Sequence, residues 1–393
     1  MADSSKANSR RLLVYSYVQR AILGVAAGLV GPLIPLIAKD LDTGLDKIGA
    51  AISFSVVAIF IVAIILNNLI DILGFKKVLI VGIVLLAIGA LGLFLAQIFS
   101  LFILFYFLYL LGAGVLSITI FAIIGNIYFE EKSTLIIQTA IYYSIGSIIA
   151  PLLVSLFTGL DINWQYLFLC VFIAQLLLVF FLVPIKLPRI VTTPRSFKNF
   201  FRIDKKILLH PLFIITGVMI LFYAAVMDTF FTWFTSYFEA LDVTVSRSSL
   251  FLALYSLSLL LGLLLKNRLI RIINEKKLLM WGILFSLVFM LCVFFINNLV
   301  IKNIMLFMYG ISVTGNFTFL IIIALNLGSK YASTIATYTH ALAYLGSIIF
   351  QYLSGYMSEN FSKNSVFYIN IALLFVIFIL AVVINSRRMQ AHS

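Results

Sequence analysis

Three ionisable residues lie deep inside long apolar runs, and these are the positions where the chain could do chemistry. An ionisable group surrounded by hydrocarbon is expensive and is retained where it has a task. Asp228 falls in the run 209–238, about nine residues before its end, and Thr232 and Thr235 follow on the same helical face at spacings of four and three. A carboxylate there can exchange a proton with water in the physiological range, as a proton-coupling site must. Held ionised by a fixed partner, or wetted from an outer mouth, it would be structural instead. His340 sits near the middle of the run 331–358, where Thr337, His340, Tyr344, Ser347 and Gln351 step by three, four, three and four. That spacing draws one polar stripe along a helix, which should face a cavity or another helix rather than lipid. Arg20 lies about eight residues into the first run, roughly 12 Å at 1.5 Å per residue, on a face with Ser16, Gly24, Gly28 and Gly31. Its guanidinium could hold an anionic group in two-point contact, or snorkel back to the membrane surface. Asn316 and Thr314 in the tenth run, and Gln138, Tyr142 and Tyr143 in the fifth, are further candidates for lining a cavity. The candidate substrate- and ion-binding set is therefore Arg20, Asp228, His340, Tyr344, Gln351 and Asn316.

Composition fixes the medium in which these residues act. The chain is 63% hydrophobic and only 10% charged, where a soluble domain carries about 25% charged residues. So much apolar surface does not fit inside a soluble core, and lipid must be the solvent. A helical span needs roughly 20 apolar residues. Hydropathy places such runs at about 12–38, 49–71, 77–97, 101–127, 133–159, 163–184, 209–238, 246–270, 277–297, 302–327, 331–358 and 364–386. The runs are long and do not alternate, which predicts helices rather than barrel strands. The expected fold class is an all-α membrane protein of twelve transmembrane helices.

The net charge of +13 would suggest nucleic acid in a soluble protein; here it reads as a topology signal. Twenty-one Lys and Arg fall in segments on the side of the two termini and five on the other. The excess predicts both termini in the cytoplasm. Cys170 and Cys292 lie in apolar runs and read as small packing residues with no disulfide framework. The polar first eleven residues lead straight into a long span, unlike a cleaved signal peptide. No G-x-x-x-x-G-K-[ST], H-E-x-x-H or G-x-S-x-G occurs, so neither a phosphate loop, a metal site nor a hydrolase nucleophile is expected. The reading is of a protein that is no enzyme and takes no cofactor.

The chain is also duplicated. The segment Asn67–Gly82, NNLIDILGFKKVLIVG, recurs 200 residues later as NRLIRIINEKKLLMWG over Asn267–Gly282, with eight of sixteen positions identical. At the same offset Gly146-Ser147-Ile148-Ile149 meets Gly346-Ser347-Ile348-Ile349, Tyr109 meets Tyr309, and Asn126 meets Asn326. The repeat implies two copies of a six-span unit in the same order: a bundle over 1–184, a basic linker over 185–208, and a second bundle over 209–393.

Two parallel six-span repeats joined by a basic loop resemble the major facilitator superfamily. The family carries a motif between spans two and three, G-x-L-a-D-r-x-G-r-K, and Leu69, Asp71, Gly74 and Lys76 match it here. Asn67 replaces the first Gly, and Ile72 and Phe75 stand at the usual Arg positions. The second copy has lost the acid and the glycine, at Arg271 and Asn274. The resemblance implies that Asp71, Gly74 and Lys76 form a gate latching the two halves on the cytoplasmic side; shaping a turn and setting topology is the plainer role for the same residues. Gly146-x-x-x-Ala150-Pro151 looks like a worn antiporter motif, or ordinary close packing.

These residues and this resemblance together imply a secondary active transporter that moves a small organic solute by alternating access. Coupling to protons would run through Asp228 and His340. A uniporter or organic-anion exchanger with Arg20 as ligand is the alternative within the fold. A non-transporting receptor or lipid-handling protein on the same scaffold is the alternative outside it. The expected partners are the small-molecule substrate, protons and the bilayer, with no nucleic acid. The chain is expected to be a monomer and a multi-pass protein of the cell membrane.

Overall fold

The computed structural model describes residues 2–128, 131–185, 187, 210–325 and 332–386. Most of the basic linker expected at 185–208 lies outside the described residues, as do Asn326, Lys330, Arg387 and Arg388 and the side chains of Lys6, Asn67, Lys132 and Thr337. Thirteen helices are described: α1 (Ala2–Asp40), α2 (Leu45–Leu73), α3 (Phe75–Leu95), α4 (Phe99–Ile127), α5 (Lys132–Gly159), α6 (Gln165–Leu182), α7 (Pro211–Glu239), α8 (Val245–Leu269), α9 (Glu275–Phe295), α10 (Leu299–Val313), α11 (Asn316–Leu325), α12 (Ala332–Asn360) and α13 (Ser365–Asn385). Among the described residues eleven segments are long and apolar enough to cross a membrane, with α10 and α11 forming one of them over Leu299–Leu325. The twelfth span is α12, whose 29 residues carry the polar stripe.

Lipid as solvent shows in where the large apolar side chains point. Phe375 in the middle of α13 is 54% exposed and Ile88 in the middle of α3 47% exposed, positions that water would penalise and hydrocarbon does not. The same logic corrects the reading of the cysteines as packing residues: Cys170 is exposed and Cys292 half-buried, both as free thiols. A small apolar side chain gains no more from a protein neighbour than from a lipid tail.

Helix ends reflect local chemistry. The Asn274 carboxamide oxygen accepts from the Lys276 amide at 2.8 Å and caps α9. Asn298 caps α10 by accepting from Val300 and Ile301. In the first repeat the position of Asn274 is Gly74, which turns the chain between α2 and α3 with φ 79° and ψ 155°. That backbone conformation is open to glycine alone. One turn of sequence, two residue types and two solutions distinguish the copies.

The described chain forms two compact units. One comprises 1–44, 54–195 and 242–253, and the other 45–53, 196–241 and 254–393. In the first, α1 packs on α5, and α3 on α4 and α6; in the second, α7 packs on α12 and α13, and α9 on α10, α11 and α13. The duplication is legible in both. A Cβ on Gly146 would collide with the carbonyl oxygen of Ala21, and one on Gly346 with that of Leu221. Both pairs keep the offset of 200, so the repeated Gly-Ser-Ile-Ile marks a close approach of the first and fifth helices in each copy. Gly24 and Gly28 complete that contact in the first unit, against Gly146 and Ala150. The turns after α1 and α7 also match, with Asp42 at φ 45° and Asp242 at φ 59°.

Candidate functional site

The second unit holds a cavity of about 370 Å³ whose walls include Tyr223, Met227 and Asp228 from α7, His340, Tyr344 and Ser347 from α12, and Thr314, Gly315 and Phe317 at the junction of α10 and α11. Three of the residues expected at a binding site, Asp228, His340 and Tyr344, are thus brought to one space. The stripe on α12 explains part of it: spacings of three and four keep His340, Tyr344 and Ser347 on one face, and α7 packs against that face.

The polar contacts on the wall are few and specific. The Ser347 hydroxyl donates to Oδ2 of Asp228. Asp228 makes no ion pair among the described residues; the ion pair found there joins Lys363 to Glu239 at 2.7 Å. Asp228 and His340 both present exposed surface to the space around them. The His340 ring meets Phe317 edge to face, with centroids 5.9 Å apart. Behind Asp228 the stripe continues inward: Gln351 is buried, donates to the Thr232 hydroxyl at 2.9 Å and accepts from the Trp233 indole N–H at 2.9 Å. Gln351 therefore braces α12 against α7 and is not part of the cavity wall. Thr235 is fully buried on α7.

Asn316 also stands off the wall. It is fully buried at the start of α11, and its carboxamide oxygen accepts from the Lys266 ammonium at 2.6 Å. The tenth span, expected to be one helix, is broken there: α10 ends at Val313, α11 begins at Asn316, and Gly315 between them has φ 77°. A break releases carbonyls from the i to i+4 ladder, and a buried carbonyl needs another donor. Lys266 supplies one to Ser312 at 2.5 Å and one to Thr314 at 2.7 Å. The Tyr223 hydroxyl supplies the third, to Val313. Three consecutive carbonyls are thereby satisfied by side chains, and the released strand of backbone becomes cavity wall at Thr314 and Gly315.

Arg20 is in the first unit and does not snorkel. It is 6% exposed, donates to the Ser117 hydroxyl at 2.6 Å, and its guanidinium carbon lies 4.7 Å from the ring centre of Phe121 and 4.6 Å from that of Tyr143. Its Nε is buried with no hydrogen-bond partner. Two aromatic faces stabilise the cation, while one donor is left unmatched. Gln138 accepts from the Tyr17 hydroxyl, and Tyr142 stacks on Tyr17 at 4.7 Å.

The motif residues fall at the end of α2 and the start of α3. Lys76 donates to the carbonyls of Val183 at 2.7 Å and Ile185 at 3.1 Å, capping the end of α6 with a cation as helix C-termini favour. Asp71 is half-buried, and Gly74 makes the positive-φ turn.

Sequence reasoning missed Lys266, which it counted as a loop-side topology residue, and with it Gly315, Tyr223 and Phe317 as wall formers. The signal lay in the repeat. At the offset of 200, Lys266 answers Leu66, Gly315 answers Val115 and Asn316 answers Leu116; a lysine, a glycine and an asparagine replace three apolar residues together.

A family profile described as Major Facilitator Superfamily matches residues 17–350. None of the curated protein sequences compared with the chain matches it. Solved structures do. The nucleoside transporter NupG superposes with a TM-score of 0.76 at 17% identity, over 96% of this chain and 99% of that one. A D-xylose–proton symporter gives 0.77 at 13%, over 95% and 96%. A bacterial homologue of the human lysosomal transporter Spinster, in an inward-facing and occupied conformation, gives 0.75 at 13%, over 94% of each chain. At these identities the likeness is one of fold.

Proposed function

Because the chain belongs to the major facilitator superfamily, we propose that it is a secondary active transporter that carries a small organic solute by alternating access and couples it to protons. The observation that carries the reading is Asp228: a carboxylate on the wall of a cavity within a membrane helix, held by a neutral hydroxyl and not by a cation, with His340 on the same wall. A carboxylate balanced by a permanent cation has no reason to take up a proton; one facing a hydroxyl and an open space can load and release it as access alternates. The aromatic walls from Tyr223, Phe317 and Tyr344 suit the flat or weakly polar face of a solute small enough for about 370 Å³. That one structural neighbour is a proton symporter supports the coupling. Asp71, Gly74 and Lys76 take the role of the cytoplasmic gate. The termini face the cytoplasm, the protein resides in the cell membrane and it works as a monomer.

The test is solute flux into proteoliposomes with and without a pH gradient, after a thermal-shift screen has named the solute class. Native flux should depend on the gradient, and Asp228→Asn should abolish that dependence while leaving exchange of the solute. Gradient-independent flux in the native protein, unchanged by the substitution, would defeat the coupling.

A second reading rests on Arg20. A guanidinium buried between Phe121 and Tyr143 with an unmatched Nε is suited to an anionic group. In that case the solute is an organic anion exchanged for another, and Arg20→Lys should weaken its transport far more than that of a neutral solute.

A further inference from the structure

The two copies of the repeat differ at three positions of one four-residue cluster. In the first, Gly82 faces Leu116, and a Cβ at Gly82 would stand 2.8 Å from the Leu116 side chain. There α4 runs unbroken from Phe99 to Ile127. In the second, Gly282 faces Asn316 and Lys266: a Cβ would stand 2.5 Å from the Asn316 oxygen and 2.9 Å from the Lys266 ammonium. The glycine is kept and makes the same room, but an ammonium and a carboxamide fill it. Where they do, the span is broken.

Lys266 is 7% exposed, and none of the described carboxylates pairs with it. Its three N–H donors meet the carbonyls of Ser312 and Thr314 and the side-chain oxygen of Asn316, all between 2.5 and 2.7 Å. Three neutral oxygens converging on one positive charge form the kind of cage that holds a bound cation at the open end of a half-helix. Here the cation is covalently attached to α8. A leucine at this position, as in the first copy, would leave the Thr314 carbonyl and the Asn316 side-chain oxygen without the ammonium in a nonpolar interior, and the Ser312 carbonyl with only the Asn316 carboxamide at 3.3 Å. The ammonium and the break therefore require each other.

We propose that Lys266 is a positioning residue for the cavity beside Asp228 and His340: a tethered cation that fills an oxygen cage, fixes the break in the tenth span, and so presents Thr314, Gly315 and Phe317 as cavity wall. It rests on the reading of that cavity as the transport site. The charge has no contact with solute; it acts through the backbone of residues 312–316.

The test uses purified full-length protein in detergent. Its readouts are thermal stability, hydrogen exchange of the peptide over 308–320, and modification of His340 by diethylpyrocarbonate measured by mass spectrometry. Lys266→Ala should melt earlier and exchange faster in that peptide, by about tenfold or more for the loss of a buried network. Adding n-propylammonium chloride, which replaces the atoms removed, should restore both, and tetramethylammonium chloride at equal ionic strength should not. The triple variant Lys266→Leu, Gly315→Val, Asn316→Leu copies the first repeat. It should melt near the native temperature, exchange more slowly than native over 308–320 because the helix is continuous, and lose the native rate of His340 modification.

Three results would overturn the proposal: Lys266→Ala behaving as native, recovery by tetramethylammonium as good as by propylammonium, or a stable triple variant with native exchange and native His340 reactivity. None of these readouts measures transport. Failure here leaves the coupling through Asp228 to its own flux experiment, and failure of the coupling leaves the joint at Gly315 standing.

Discussion

The Ser347 hydroxyl donates its hydrogen bond to Oδ2 of Asp228, tying α12 to α7 on the wall of the cavity. It is the one side-chain hydrogen bond made by Asp228 among the described residues. Ser347→Ala should therefore lower stability by about 1.5 kcal/mol, the lower end for a hydrogen bond to a charged group, because Asp228 also has open space around it. Ser347→Thr, which keeps the hydroxyl, should stay close to native. Thermal melts of the purified variants check this. An alanine variant as stable as native would mean that the contact contributes nothing.

The matched approaches at Gly146 and Gly346 predict matched losses. Alanine at either position drives a methyl into the carbonyl of Ala21 or Leu221, and overpacking of this kind costs about 1–3 kcal/mol. Both variants should melt several degrees below native. Gly125, which has nothing within 4 Å of its Cβ position, is the control and should tolerate alanine.

Gln351→Leu leaves the Trp233 indole N–H buried without an acceptor, since Gln351 is its partner at 2.9 Å. A buried donor left unmatched costs about 1–3 kcal/mol. The loss should appear in a melt. It should also appear as a change in tryptophan emission against a Trp233→Phe reference, because the indole would lose its hydrogen bond in place.

At the motif turn, Gly74→Ala should destabilise by about 1–3 kcal/mol, as φ 79° with ψ 155° is closed to a residue with a Cβ. Lys76→Met should speed hydrogen exchange at the end of α6, where Lys76 holds the carbonyls of Val183 and Ile185. Lys76→Arg should protect that end as the lysine does. Equal exchange in all three proteins would remove the capping role.

Most of the architecture could be read from the sequence because it rests on period and amount. Long apolar runs have one solution in lipid, and an ungapped offset of 200 survives as paired contacts at Gly146 with Ala21 and Gly346 with Leu221. The stripe on α12 was readable for the same reason: a spacing of three and four is a direction in space. What could not be read was depth. Gln351 belongs to that stripe, yet it serves Trp233 and Thr232, because a helix packed against two neighbours buries part of any stripe. Asn316 looked like a lining residue and supports a broken helix instead. Hydropathy averages over a window, so one glycine between two apolar half-helices leaves no trace in it. Lys266 was mistaken because a lysine near the end of a span has the same composition whether it reaches outward to headgroups or inward to carbonyls. Only comparison with Leu66 carried the difference.

The lysine also dates an event in the making of the protein. Its oxygen partners lie 46, 48 and 50 residues further along the chain, so they are always synthesised after it. Until they are made the ammonium has no cage, and a charge without partners is expensive in hydrocarbon. Ser312, Thr314 and Asn316 supply the oxygens that hold it inside. The break at Gly315 is therefore completed by a side chain made about fifty positions earlier, and no fragment that stops short of Asn316 can contain the finished joint.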